Sequence, residues 1–477
     1  MKKFVIFAVL IMLLIGSALV MAQSGLPGSG FKSGQQVQNT GSTDATIVLT
    51  AYDESGVATS CGSHTVAPGG SYTYLTDIDC PVDAGFQGSA VVSSDQPIAA
   101  ITNVNNKGTG AAAGQYTGTD GTAIADTIAF PLFKSDHSNR TTTFYIQNAS
   151  GDANDIEATF TMNGTEYDTS FSNVPAYAMV VFSPADAGVP TGNGNIGGLV
   201  VSGTQPLAGT SLEHESSVSV ASNLQASRAF VPSDYDSELA CPLVRYASGG
   251  KVTTTGLQVQ NVGTEDVDIT VTYSIVSGSA VNTSRTINNV APGASANFLQ
   301  ANDLNENTVA SATVTAVASD GSGDVALAAI VNDKATATTP QRVTTYACFG
   351  VNNATDFINL PLVKETAGIN TTGIQVMNVG SANATVELTY TNNNGTVVVT
   401  HSDPIAPGAS KTFYNLANGG TANVSATSGT LESLAGTVNG VTIDGAGQEI
   451  VAIANESSLG NNNPQDTKNY EGFNSNN

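Results

Sequence analysis

One four-residue pattern returns four times along this chain at nearly constant spacing. It reads Gln-Val-Gln-Asn at 36–39, Tyr-Ile-Gln-Asn at 145–148, Gln-Val-Gln-Asn at 258–261 and Gln-Val-Met-Asn at 375–378. A period of roughly 110–117 residues is the length of one immunoglobulin-like sandwich, so the chain is restricted to tandem copies of one small domain. In three copies a glycine follows two residues after the Asn (Gly41, Gly263, Gly380), and in the second Ser150-Gly151 does so one residue later. Asn and Gly both tolerate left-handed backbone angles, so each copy should end a strand in a tight turn there.

The rest of the repeat reads as strands. Val267-Asp-Ile269-Thr-Val271-Thr-Tyr273 and Val386-Glu-Leu388-Thr-Tyr390 alternate apolar and polar residues with period two, as a strand with one buried face does. Ala-Pro-Gly follows at 67–69, 291–293 and 406–408, with Val174-Pro175-Ala176 in the second copy. Pro-Gly predicts a type II turn with the glycine at its third position. An apolar strand ends each unit, at Ile98, Leu207, Val325–Ile330 and Ile450. Between units lie Tyr-centred segments (Tyr116, Tyr235, Tyr346). Apolar-Pro-Leu segments follow them (Phe130-Pro131-Leu132, Cys241-Pro242-Leu243, Leu360-Pro361-Leu362). Proline cannot donate to a ladder, so these are expected at a sheet edge or at the start of a strand.

These motifs together resemble the tandem immunoglobulin-like repeats of secreted bacterial surface proteins and are similar to cell-adhesion-related (CARDB-type) domains. The resemblance covers nearly the whole chain after the leader. It implies a cell-surface or matrix role and no catalytic activity. The expected fold is all-β: four tandem immunoglobulin-like β-sandwich domains after an N-terminal signal peptide. The division is 1–22 signal peptide, 23–125, 126–237, 238–356 and 357–460 for the four repeats, and 461–477 for a C-terminal tail.

The leader reading rests on Lys2 and Lys3, the apolar run Phe4–Val20 and the small-residue site ending at Ala22, the alternative being an uncleaved N-terminal membrane anchor. It makes the protein secreted, extracellular or surface-bound, with no membrane contact beyond that peptide. A formal net charge of −24 with 15 Lys+Arg argues against nucleic acid, whose phosphates need a basic partner. An even count of cysteines in an exported chain predicts disulfides. Cys61 and Cys80 share one repeat and are paired. Cys241 and Cys348 flank the third repeat and would clip it shut, the alternative being two free buried thiols.

No motif supplies a nucleophile with a base. His214-Glu215-Ser216-Ser217-Val218 lacks the second histidine of a zinc-protease run, so the chain is expected not to be an enzyme. Calcium is the inorganic candidate, through the loop carboxylates Asp320 and Asp324, and Asp77 and Asp79. No other cofactor is expected. Sequons at Asn139, Asn148, Asn163, Asn282, Asn353, Asn370, Asn383, Asn394, Asn423 and Asn455 permit glycosylation. Lys134 and Lys364 follow the Pro-Leu segments, where Lys–Asn isopeptide bonds are a remote option that Arg245 in the third repeat speaks against.

The ends of the chain are out of phase with the repeat. Leu26-Pro27 is all that precedes the first Gln-Val-Gln-Asn in the way of a Pro-Leu strand, and Tyr470-Glu471-Gly472-Phe473 reads as a spare Tyr-centred segment. This predicts that Tyr470 and Phe473 of one subunit dock near Leu26 and Pro27 of the next, adding a strand head to tail. The functional expectation is a self-assembling subunit of an extracellular filament, sheath or S-layer-like coat, a homo-oligomer or polymer. The alternative is a surface adhesin or carbohydrate-binding stalk that contacts glycans or cell-wall components.

Overall fold

The computed structural model describes residues 25–106, 109–250, 252–337, 341–364, 370–392, 395–414, 428–434, 436–438, 441–443, 447–458 and 467–475. The expected signal peptide (1–22) and the sequons at Asn394 and Asn423 lie outside them. Among the described residues the chain is nearly all strand. No helix there exceeds four residues, and none is long and apolar enough to cross a membrane.

Strands fall into four successive units, each with two sheets around an apolar core. The third unit is the fullest. One sheet runs Ser284–Val290, Val267–Ser277, Thr308–Ala318, Glu238–Tyr246, Phe349–Gly350. The other runs Ser295–Leu299, Thr253–Asn261, Leu327–Ala335, Arg342–Ala347. The fourth unit repeats this order. In the second, the two sheets share one 20-residue strand, Ile196–Glu215, which changes partners at a register shift between Ser202 and Leu207. Leu257, Val259, Ile269, Val271 and Val314 are wholly buried between the sheets of the third unit, from the alternating positions of their strands.

The recurrent Asn is a clamp. Asn39, Asn148, Asn261 and Asn378 are fully buried. Each donates from Nδ2 to a carbonyl four residues on and to a second carbonyl beside the turn that follows the next strand pair: Asn261 to Glu265 at 2.7 Å and Val290 at 2.8 Å, Asn378 to Ala382 and Ile405 at 2.7 Å each. Its Oδ1 accepts from the amide two residues on. A buried side-chain amide so fully bonded fixes one turn geometry, which explains why the motif recurs.

The Pro-Gly turns form as expected. Gly69, Gly293 and Gly408 sit at φ +70, +74 and +72, in the left-handed region. The second unit does this one residue later than its sequence suggests. Ala178 N–H bonds Pro175 O at 3.1 Å, and Tyr177 holds the left-handed position at φ 59.

Two expectations are corrected. Two of the three Pro-Leu strands are not at sheet edges, while Ala125–Lys134 is, pairing along its ladder with Ile196–Glu215 alone. Glu238–Tyr246 lies between Thr308–Ala318 and Phe349–Gly350, and Phe357–Leu360 lies between Ser428–Ser433 and Phe473–Ser475. Pro131 and Pro242 fall inside register shifts, so no ladder bond is lost. The C-terminal segment is not a spare tail. Lys468–Glu471 pairs with Ile450–Ser458, and Phe473–Ser475 pairs with Phe357–Leu360, so both finish the fourth unit's own sheets.

The four units also close on one another. The last strand of each, Ala113–Thr117, Leu224–Arg228, Arg342–Ala347 and Lys468–Glu471, packs against the next, and the fourth packs against the first. The same contact recurs around this circuit. Ser311 Oγ of the third unit donates to Gly408 O of the fourth at 2.7 Å, and Ser428 Oγ of the fourth donates to Gly69 O of the first at 2.8 Å. Glu471 joins three units at the centre: Thr117 Oγ1 donates to one carboxylate oxygen at 2.9 Å and the Ala347 amide donates to the other. A head-to-tail contact that closes gives a ring, and here the ring closes within one chain.

Candidate functional site: an unfilled strand position in the first unit

Among the described residues the first unit has no counterpart of the strand that begins the other three. Its outer sheet holds Ala58–Val66, Ala45–Asp53 and Gly88–Ser94 and stops there. In the other units the strand equivalent to Gly88–Ser94 pairs with a Pro-Leu strand: Ala125–Lys134, Glu238–Tyr246 or Phe357–Leu360. Those strands drive two apolar side chains, two residues apart, into the core: Ile128 and Phe130, Leu239 and Cys241, Ile358 and Leu360, all at most 2 % exposed. By register, the positions facing them in the first unit are Val92 and Ala90. Ala90 and Val91 are exposed there, and Val92 is only partly buried. Among the described residues nothing covers this edge.

The surroundings are altered to match. In units two to four the end of the Pro-Leu strand carries a cation, and the strand facing it carries an acid six residues after its first apolar position. Lys134 Nζ meets Glu213 Oε1 at 2.9 Å, Arg245 Nε meets Asp333 Oδ2 at 3.0 Å, and Lys364 Nζ meets Glu456 Oε1 at 2.7 Å. All three acids are buried. Burial opposes the charge on Glu213, but Lys134 and Arg140 outweigh it and hold its carboxyl down at about 2. Asp333 faces only Arg245, and there burial wins, pushing the carboxyl up. The first unit has Val104 at the acid's position, packed with Leu26, Phe31 and Tyr116. A buried acid without its cation would cost several kcal/mol, on the order of 3–5; with the strand gone, the acid is gone too.

Tyr116 shows the same adjustment. Tyr346 and Tyr470 each donate from Oη to the carbonyl of the leucine after the proline, to Leu243 at 2.6 Å and Leu362 at 2.7 Å. Tyr116 occupies the equivalent place without that strand, and its hydroxyl bonds Thr102 and Thr210 of the second unit instead.

The four residues expected at a joint between subunits are used inside the chain. Leu26 packs in the apolar cluster between units one and two, and Pro27 O accepts from the Ala221 amide at 3.1 Å. Tyr470 is 1 % exposed in the fourth core and Phe473 packs on it. In this chain both C-terminal strands pair within the fourth unit's own sheets, each as the last strand of its sheet.

Other sequence candidates scatter. Cys61–Cys80 and Cys241–Cys348 are disulfides. Asp77 pairs with Lys32, Asp79 Oδ2 accepts from Leu75 N at 2.6 Å, and Asp320 Oδ1 accepts from Ser322 N at 2.9 Å. Among the described residues no three His, Cys, Asp or Glu side chains gather as a metal set, and Asp320 and Asp324 do not add to one. Asn139, Asn163, Asn282, Asn353 and Asn383 are exposed, and Asn370 and Asn455 are partly buried. Asn148 is fully buried as a clamp, so its sequon is closed to glycosylation in the fold. Lys134 and Lys364 are spent on their acids. His214 is buried with its ring between the Thr143 hydroxyl and the Glu215 carbonyl. The crevice where the four last strands meet, lined by Gln115, Leu224, Thr345 and Asn469, leaves no space the size of a water molecule.

The sequence reading missed Gly88–Ser94 and Val104. The fixed six-residue step from Ile98, Leu207, Leu327 and Ile450 to Val104, Glu213, Asp333 and Glu456 would have flagged the exception.

No family model matches the chain and no curated protein matches it. Among solved structures, one titled "Crystal structure of tetra-tandem repeat in extending region of large adhesion protein" aligns over 94% of this chain and 97% of that one, at 11% identity and a TM-score of 0.11. A score that low carries no argument about fold or partner.

Proposed function

We propose that the chain is a non-enzymatic structural protein of the cell surface, built of four immunoglobulin-like units. It is a subunit of an extracellular filament, sheath or coat, joined to a neighbour by strand addition at its first unit. The observation that carries this is the strand position beside Gly88–Ser94 that no described residue fills, with Val104 and Tyr116 at the places where the other units hold an acid and a tyrosine bound to the Pro-Leu strand. A free edge of uncharged residues is a template for another strand. Two disulfides suit an oxidising setting outside the cell. The closed circuit of units supports a compact block over an extended stalk. Tyr177 is the one aromatic side chain among the exposed large apolar residues described, and its ring lies tilted against Tyr52 with centroids 5.0 Å apart, which leaves little platform for sugars.

The test is made in cells that produce the protein. Val91→Lys and Ser93→Lys together put two charges on the outward face of the edge strand without touching the core. The wild-type chain should sediment with surface material and the double variant should stay in the medium. Equal retention of both would refute the edge as the joint.

A further inference from the structure

Resting on that reading, we infer that the strand filling the first unit comes from a second kind of polypeptide: an extended, uncharged apolar segment of the Pro-Leu type. The chain itself shows what the position takes. Three times it holds a strand with two inward apolar side chains two residues apart, antiparallel to the strand it joins. The donor therefore runs antiparallel to Gly88–Ser94 and sets its two apolar side chains opposite Val92 and Ala90.

Among the described residues, the Pro-Leu strands of another copy are already in use. Each is paired along one side with a long strand or its equivalent and touched on the other: Ala125–Lys134 by the single Ala129–Phe230 bridge, the other two by the short strands Phe349–Gly350 and Phe473–Ser475. Each also carries core side chains and, in two cases, the leucine bound by a buried tyrosine. Releasing one would expose the core of its own unit.

The charge at the end of the position further defines the donor. Lys134, Arg245 and Lys364 are each answered by an acid, but the first unit offers Val104 with Leu26 and Phe31 beside it. A donor ending in a cation would bury it against apolar groups. The fitting segment is uncharged there, unlike the three strands inside this chain.

The experiment uses the full secreted chain and labelled synthetic peptides, read by fluorescence anisotropy. The first peptide is Thr127–Phe133, an uncharged Pro-Leu strand. The second is Thr127–Lys134, which adds the cation. Two more carry N-methyl groups on alternate backbone amides of the first, in the two possible phases. Binding of the uncharged peptide is expected to be at least tenfold tighter than that of a scrambled one and several-fold tighter than that of the lysine-ended one. One methylated phase should abolish binding and the other should spare it, because only alternate amides of a strand face its partner. Hydrogen exchange at Gly88–Ser94 should slow on binding.

If the uncharged peptide fails to bind, or both methylated phases bind equally, the inference falls. If Gly88–Ser94 is already protected in the purified chain, a second copy or the chain's own residues before 25 fill the position. Either overturns the separate donor; protection that falls on dilution marks a second copy and leaves the strand-acceptor role standing, and protection that does not fall removes that role as well. If the edge exchanges freely and no peptide binds, while the lysine double variant stays on the cell surface, both readings fail together.

Discussion

The first and third units are built from the same repeat, and among the described residues they differ by two strands, the Pro-Leu strand and the two-residue strand beyond it. The third encloses its core with nine strands and buries Leu239, Val314 and Leu304 almost completely. The first has seven, and the residues on the same side of its core, Val82, Phe86 and Val92, are only partly buried. Each unit has a disulfide, but of different reach. Cys241–Cys348 spans 107 residues and ties the Pro-Leu strand to the end of its unit, whereas Cys61–Cys80 spans 19 residues within the small core. The lesson is that an incomplete sandwich stays folded when its neighbours change with it: the acid becomes Val104, the tyrosine turns to the next unit, and Leu26 closes the lower end.

The largest effect expected from breaking this comparison is loss of the long disulfide. Cys241→Ser with Cys348→Ser should cost the third unit about 4–5 kcal/mol, and Cys61→Ser with Cys80→Ser about 3 kcal/mol on loop entropy. The smaller loss falls on the smaller core, so calorimetry should show the first unit melting as a separate, earlier transition only in the second variant. A single shared transition in both would mean that the ring, not each core, sets stability.

Next is the acid that the first unit lacks. Glu213→Ala leaves Lys134 and Arg140 buried without their partner and should cost about 3–5 kcal/mol in denaturant unfolding. Val104→Ala, at the equivalent place, removes partly buried apolar contact and should cost about 1 kcal/mol or less.

The same pair predicts a difference in acid. With its carboxyl held at about 2 in the fold against 4.5 for the free group, Glu213 contributes stability that is complete above pH 4.5. That contribution, roughly 3 kcal/mol, fades as pH falls toward 2. Asp333, pushed up by burial, runs the other way: it costs stability once the pH is high enough to ionise it and recovers it in acid. Melting of Glu213→Gln against wild type between pH 5 and 2 should show the wild-type advantage shrinking. A constant offset would contradict the ion cluster.

The smallest effect lies at the joint between the fourth unit and the first. Ser428→Ala and Ser311→Ala each remove one hydrogen bond to a turn glycine and should each cost about 1 kcal/mol. Equal costs would show that the closing contact is as well made as the one it repeats.

Much of this was legible in the sequence. The Asn motif marked its turn, the alternating strands fell where expected, and the Pro-Gly turns took the predicted backbone. What was hidden depended on contacts across long separations. Tyr470 looks the same whether it closes one repeat or opens another; the decisive bond, to Leu362, spans 108 residues. The apolar segment at Leu207 reads as a closing strand of its own, yet Ile196–Glu215 runs through it at a register shift while moving between sheets. Ring closure rests on Ser428, Glu471 and Ile101, which are unremarkable in sequence and meaningful only when the first and fourth units touch.

Small-angle scattering of the purified monomer tests the closed circuit most directly. A compact body of 477 residues should give a radius of gyration of about 23 Å, unchanged by moderate salt. A value far above that, as for four units in line, would show that the fourth unit does not meet the first, and the account of a closed ring with one open edge would be wrong.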